Sequence, residues 1–259
     1  MDLCLDIGNS HIYGGVFDKD ILKLRFRYSS KQVDSSDQFG IFLRAVLREN
    51  GFEFKQIKRI CACSVVPELD YSVRSACIKY FSLEPFFLGV GTKTGLNIKY
   101  HNPNEVGTDR IANAVAAVKQ FPDKNITIVD FGTATTCCVI TKDRAYLGGV
   151  ILPGMRLSRD ALQNNAAKLF AVEIVEPEVI VGRSTRESIQ SGLYYMQLGA
   201  VKELLNHIQK EAFKNEAPVV IGTGGFSHLF AKQEMFTVIE LDLVLQGLRL
   251  VLELNGVKT

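Results

Sequence analysis

Two short segments of the chain place a carboxylate at the end of an apolar run and follow it with residues that turn. The first is Asp6-Ile7-Gly8-Asn9-Ser10-His11-Ile12-Tyr13, after Leu3-Cys4-Leu5. A strand that ends in Asp and turns on Gly-Asn-Ser gathers one carboxylate and several main-chain N–H groups at a point, where the phosphates of a nucleotide and their magnesium could sit. An ordinary polar hairpin with a capping Asp has the same pattern. The second segment, Asp130-Phe131-Gly132-Thr133-Ala134-Thr135-Thr136, offers another carboxylate with hydroxyls at the equivalent place. A third, Gly222-Thr223-Gly224-Gly225, ends a buried apolar run. Its missing side chains let a flat group such as an adenine and its ribose come close to the backbone, although a plain strand-to-helix turn reads the same way.

These residues need elements to hold them. Residues 3–7 and 12–17 flank the Gly8-to-His11 turn, and Asp18-Lys19-Asp20 leads into a third β-forming run from Ile21 to Phe26, which is a strand meander. The layout returns from Ile126 through Ile140 to Leu147, with Asp130 standing 124 residues after Asp6, close to half the chain. Helical spacing runs over 36–50, over 106–121 after Thr108-Asp109, over 154–170 and 187–213, and over the apolar last segment 241–254. The expected fold is α/β: two lobes, 1–122 and 123–259, each a mixed five-stranded sheet flanked by helices, with a nucleotide cleft between them. The last helix is a candidate to pack back on the first lobe.

With 47% hydrophobic and 22% charged residues over 259 positions, disorder, collagen and coiled coil are excluded. Thirty Lys and Arg against 28 Asp and Glu leave a net charge of +2, which gives no electrostatic ground for nucleic acid or a membrane surface as partner. No apolar run is long enough for a membrane helix, and the N-terminus carries two acids instead of the basic flank of a signal peptide, so a cytoplasmic location is expected. Six cysteines (4, 61, 63, 77, 137 and 138) form no CxxC or Cys/His metal spacing and are read as reduced, buried packing residues. The segment Gly89-Val90-Gly91-Thr92-Lys93-Thr94 fails the P-loop spacing and reads as a surface loop. None of the four histidines is spaced as a metal pair or triad base, and His11 is read as structural within its turn.

The run strand-Asp-x-Gly-Asn-Ser, then Asp-Phe-Gly-Thr-Ala-Thr, then Gly-Thr-Gly-Gly resembles the phosphate, phosphate and adenosine motifs of the actin, hexokinase and acetate kinase superfamily, whose lobes are ribonuclease H-like. Three further segments are similar to type III pantothenate kinase: Asn97-Ile98-Lys99-Tyr100, Gly107-Thr108-Asp109-Arg110 with Ile111-Ala112-Asn113, and Gly148-Gly149-Val150-Ile151-Leu152-Pro153-Gly154. The likeness runs from residue 1 to about 250 in order and spacing.

The resemblance implies ATP-dependent phosphorylation of pantothenate to 4′-phosphopantothenate, the first step of coenzyme A biosynthesis. It implies an ATP-binding stretch Asp6, Ile7, Gly8, Asn9, Ser10, His11, Ile12 and Tyr13, with Asp6 near magnesium, and an ATP contact at Thr133. It also implies a general base at Asp109, a monovalent cation (potassium or ammonium) at Asp130, and pantothenate contacts at Tyr100, Gly107, Thr108, Asp109, Arg110 and Thr185. The Thr185 contact belongs near a homodimer interface in that family. Two other readings stay open: an accessory or regulatory protein on the same fold, and a kinase for a different small hydroxylated acceptor.

Overall fold

The computed structural model describes residues 1–257; Lys258 and Thr259, the end of the expected second lobe, lie outside the described residues. The chain forms two compact units, one of residues 1–96, 101–116 and from Asp242 onward, the other of residues 97–100 and 117–241.

In the first unit, β1 (Asp2–Ile7), β2 (His11–Asp18) and β3 (Ile21–Ser29) form the expected meander, and β4 (Arg59–Ser64) and β5 (Phe86–Phe87) extend it in parallel, giving the order β3-β2-β1-β4-β5. Strand alternation divides the side chains of β1 between two faces. Leu3, Leu5 and Ile7 join Ile60 and Ala62 in a core closed by Phe39, Leu43 and Leu47 of α1 (Ser36–Glu49) and by Val73, Ala76 and Cys77 of α2 (Pro67–Phe81). Each such buried Leu or Ile is worth about 1.5–3 kcal/mol, so this face fixes the register of β1. The opposite face carries Asp2, Cys4 and Asp6 beside Arg59, Cys61 and Cys63 in register, and α6 (Leu243–Leu254) packs on both strands. Buried between two layers, β1 is apolar on both faces through Leu3-Cys4-Leu5, as the strands of parallel pairs are.

The segment before α1 turns at Ser35, whose side chain accepts from the Gln38 N–H at 3.2 Å and caps the helix. Helix α3 (Thr108–Gln120) crosses α6 in backbone contact: a Cβ on Gly247 would stand 1.9 Å from the Ala112 carbonyl oxygen, so only glycine allows the crossing.

In the second unit, β7 (Ile126–Phe131), β8 (Ala134–Ile140) and β9 (Ala145–Pro153) repeat the meander, β10 (Val219–Thr223) pairs parallel to β7, and β11 (Val238–Ile239) follows it. A short strand β6 (Asn97–Ile98) adds to β9, so this sheet has six strands instead of five, ordered β11-β10-β7-β8-β9-β6. Val129, Phe131 and Cys137 pack with Tyr194, Leu198 and Val201 of the 29-residue α5 (Thr185–Phe213) and with Phe230. Helix α4 (Met155–Asn165) is shorter than the spacing over 154–170 predicts. It ends where the Asn165 amide turns back to the Ala161 carbonyl at 2.9 Å, and the chain from Ala166 to Ser184 is irregular.

No helix among the described residues is long and apolar enough to cross a membrane. All six cysteines are free and buried.

Candidate active site

In the first unit, Asp6 is the next-to-last residue of β1 and stands in register with Cys63 of β4. The Cys63 Sγ–H donates to Asp6 Oδ1 at 3.4 Å. Burial pushes that thiol well up, and the charges of Asp6 and Asp109 push it further, so it stays protonated and remains a donor at any working pH.

Asp109 owes its position to the residue before it. The Thr108 hydroxyl donates to the Ser64 carbonyl at 2.9 Å and accepts from the Ser64 N–H at 3.1 Å, which pins the start of α3 to the end of β4. The next residue of β4's exit, Val65, donates its N–H to the Ile7 carbonyl at 3.0 Å, tying the same corner to β1. Burial holds the Asp109 carboxyl above the ordinary carboxylate range, opposed by the Arg110 N–H, which donates to Oδ1 at 2.8 Å, and by the Arg110 guanidinium. Gly107 lies directly against the same Oδ1. Arg110 and Asn113, on the following turn, are buried.

The turn after Asp6 is closed by the Gly8 N–H donating to the His11 carbonyl at 3.1 Å. Within the segment 6–13, the side chains of Ile7 and Ile12 are buried in the core, leaving only their main chain to face a ligand. Asn9 and His11 are exposed, and Asp6 and Ser10 half-buried. Tyr13 is a strut: its hydroxyl donates to Asp242 Oδ1 at 2.5 Å, Arg25 meets the other oxygen at 2.8 Å, and Arg27 lies over the ring. Burial and the Asp242 carboxylate raise the Tyr13 phenol far beyond its ordinary range.

In the second unit, Asp130 is the next-to-last residue of β7, as Asp6 is of β1, in register with Thr223 of β10. Backbone comes close to it. Gly224 has φ +83°, and a Cβ there would stand 2.3 Å from Asp130 Oδ1 and 2.6 Å from the Phe131 backbone. The turn Phe131 to Ala134 is closed by the Gly132 N–H on the Ala134 carbonyl, and exposed Thr133 turns its carbonyl against Gly154 at the start of α4. The Gln197 amide of α5 donates to the Pro153 carbonyl at 2.6 Å and anchors that join.

Two further expected positions lie in this unit. Tyr100 is half-buried with its ring against Gly148 of β9, carried there by the pairing of β6. Thr185 begins α5 beside its cap Ser184, and lines an open pocket of about 930 Å³ with Ser158 and Leu162 of α4 and Ile189, Leu193 and Met196 of α5.

Sequence reasoning passed over Cys63, Ser64 and Ser30, which act on the site through contacts 22 to 57 residues away. The register of β1 on β4 and of β2 on β3 brings Cys63 and Ser30 there, and the join of β4 to α3 brings Ser64.

The type III pantothenate kinase family profile matches residues 2–207. A type III pantothenate kinase of Legionella pneumophila (strain Corby) is 60% identical over 98% of this chain and 99% of its own length. The chain belongs to the type III pantothenate kinase family. A second family member, type III pantothenate kinase 1 of Francisella tularensis subsp. holarctica (strain OSU18), is 48% identical over 98% of this chain and all of its own length. Among solved structures, a Campylobacter jejuni protein described as a Baf family transcriptional activator matches over 98% of both chains with a TM-score of 0.61 at 19% identity, a likeness of fold alone. The actin-like fold of type III pantothenate kinases therefore comes with two sheets of five and six strands in this chain.

Proposed function

We propose that the chain transfers the γ-phosphoryl group of ATP to the primary hydroxyl of pantothenate, giving 4′-phosphopantothenate and ADP at the entry to coenzyme A biosynthesis. The observation that carries the reading is Asp109: a carboxylate held by a pinned helix start and kept basic by burial, within a chain 60% identical to a type III pantothenate kinase. As the pantothenate hydroxyl oxygen attacks phosphorus, its proton passes to the Asp109 carboxylate, the new P–O bond forms, and the bridging oxygen leaves on ADP. A raised pKa makes Asp109 a better proton acceptor near neutral pH, and phosphoryl transfer asks for positioning and charge more than for a strong base.

The main chain from Asp6 to Tyr13, with the side chains of Asn9 and Ser10, and Thr133 in the second unit, would contact ATP. Tyr100, Gly107, Arg110 and Thr185 would contact pantothenate. The donor proton of the Thr108 hydroxyl is committed to Ser64, so Thr108 serves the acceptor through its main-chain N–H and through the placement of Asp109. The guanidinium of Arg110 suits a carboxylate or a phosphoryl oxygen by its planar fork.

The donor set fits the ions of the family. Among the described residues there is no group of three or more His, Cys, Asp or Glu able to hold a metal. One carboxylate at each strand end suits ions that keep water and phosphate oxygens as their other ligands. Asp6 would hold magnesium and Asp130 potassium or ammonium, and when bound these ions neutralise charge on the transferring phosphoryl group. The homodimer rests on the family resemblance, and the exposed Leu162, Tyr195 and Met196 offer apolar surface for it near Thr185. A cytoplasmic location accords with six free, buried cysteines.

The test is ADP release by the purified protein with ATP and magnesium, with and without pantothenate, in potassium and again in sodium buffer. Pantothenate-dependent turnover that drops in sodium is expected. Folded protein without such turnover would turn attention to other hydroxylated acids and to an accessory role.

A further inference from the structure

We propose that Ser30 is a positioning residue for the nucleotide turn, holding the carbonyls of Gly8 and Ser10 toward itself so that the N–H groups of Asn9 and His11 are aimed the opposite way, at the phosphates. The proposal rests on the ATP-binding reading of residues 6–13. Ser30 lies 22 residues beyond Gly8, where β3 ends in a single 3₁₀ turn, Ser30–Gln32. It is 6% exposed. Its Oγ–H donates to the Gly8 carbonyl at 2.5 Å, and its main-chain N–H donates to the Ser10 carbonyl at 3.1 Å.

These two bonds orient the turn. The chain has no cis peptide bond among the described residues, and in a trans peptide the C=O and the following N–H point in opposite directions. With the Gly8 and Ser10 carbonyls both drawn to Ser30, the Gly8–Asn9 and Ser10–His11 peptides must direct their N–H groups away from it. Two N–H groups of one turn that face the same way can together meet the oxygens of an anion. Asp6, at the mouth of the same turn, adds the carboxylate that a magnesium–phosphate ligand would need. Ser30 is itself fixed from behind: the Val33 N–H donates to its carbonyl at 3.3 Å, and the Tyr28 hydroxyl donates to the Gln32 carbonyl at 3.2 Å.

The two bonds also differ in what a substitution removes. The N–H bond to Ser10 belongs to the backbone and survives any side chain, so the hairpin stays closed. Only the bond to Gly8 depends on the hydroxyl, and without it the Gly8–Asn9 peptide is free to rotate. The affected property is therefore the aim of one phosphate donor, not the fold.

Binding of a non-hydrolysable ATP analogue with magnesium is measured by calorimetry on the wild type and on Ser30→Ala, Ser30→Cys and Ser30→Thr, together with KM for pantothenate. Ser30→Ala should weaken nucleotide binding about three- to tenfold, the worth of one neutral hydrogen bond, with KM for pantothenate unchanged. Ser30→Thr, which keeps the hydroxyl, should restore affinity, and Ser30→Cys, a weaker donor, should fall between. Unchanged nucleotide affinity in Ser30→Ala, equal weakening of both substrates, or an affinity series that ignores donor strength would overturn the proposal. A wild type that binds no nucleotide would overturn the kinase reading, and this proposal with it.

Discussion

The ends of β1 and β7 are the same structural device with different surroundings. Both strands are six residues long, bury the same positions, carry Asp fifth, turn back into an antiparallel partner and have a parallel neighbour on the other side. The two sheets share one strand order, with β6 added only to the second. What differs is the residue that the parallel neighbour presents. Beside Asp6 stands Cys63, a protonated donor, with Asp109 near enough to raise the same thiol. Beside Asp130 stand Thr223 and then Gly224, which brings backbone to the carboxylate where a side chain would otherwise be. The comparison teaches that the strand-end carboxylate is generic, and that its chemistry is set by one residue on the next strand. At the first end the neighbours fix charge, and at the second they make room.

The comparison would break first at Asp109, whose charge acts on the Cys63 thiol beside Asp6. Asp109→Asn is expected to lower kcat by about 10²–10⁴-fold, as loss of a general base does. The same change should raise thermal stability at neutral pH. Because the folded-state pKa of Asp109 lies above its unfolded value, wild-type stability is fully present below the unfolded pKa and is lost as pH rises through the folded one. Melting curves of the two proteins should therefore coincide at low pH, separate as pH rises from the unfolded to the folded pKa of Asp109, and stay a constant distance apart above it, with the variant higher.

The two strand-end acids should then separate by phenotype. Asp6→Asn is expected to lower kcat/KM for magnesium–ATP by about 10²–10³-fold, the scale for removing one electrostatic contact to a transferring group. Asp130→Asn should instead bring activity in potassium down to that in sodium. Titrations of magnesium and of the monovalent ion distinguish the two.

Smaller effects sharpen the contrast in packing. Gly224→Ala forces a Cβ into the left-handed region and against Asp130, and should cost about 1–3 kcal/mol in urea unfolding. Gly8→Ala, whose Cβ would meet only the His11 carbonyl at 3.1 Å, should cost less. Smallest of all, Cys63→Ala should raise KM for magnesium–ATP about two- to fivefold through the loss of one weak donor, and Cys63→Ser should leave it near the wild-type value.

Much of this frame was legible in the sequence. The strands of both meanders, α1, α3, α5 and α6 follow from alternation and from apolar residues three and four apart, while the caps Ser35 and Ser184 emerge only in the structure. β4 escaped notice because Cys-Ala-Cys is short and has no alternation, being buried on both faces. α2 escaped because Tyr71 and Ile78, which blur its apolar face, are exposed. The end of β9 was hidden by Gly148 and Gly149, and α4 was read too long because Leu169 and Phe170 continue its spacing past the turn at Asn165. The acids proposed for the site stand in motifs. Their supports do not, since Ser30 and Cys63 act across strand pairings, and Ser64 across the join of β4 to α3, that no local pattern encodes.

The most direct measurement is pantothenate-dependent ADP formation by the wild type and by Asp109→Asn, side by side with their affinities for a non-hydrolysable ATP analogue. The account predicts turnover that requires pantothenate in the wild type and falls by about 10²–10⁴-fold in the variant, with nucleotide affinity retained. Equal turnover in the two proteins, or ADP formation indifferent to pantothenate, would contradict it.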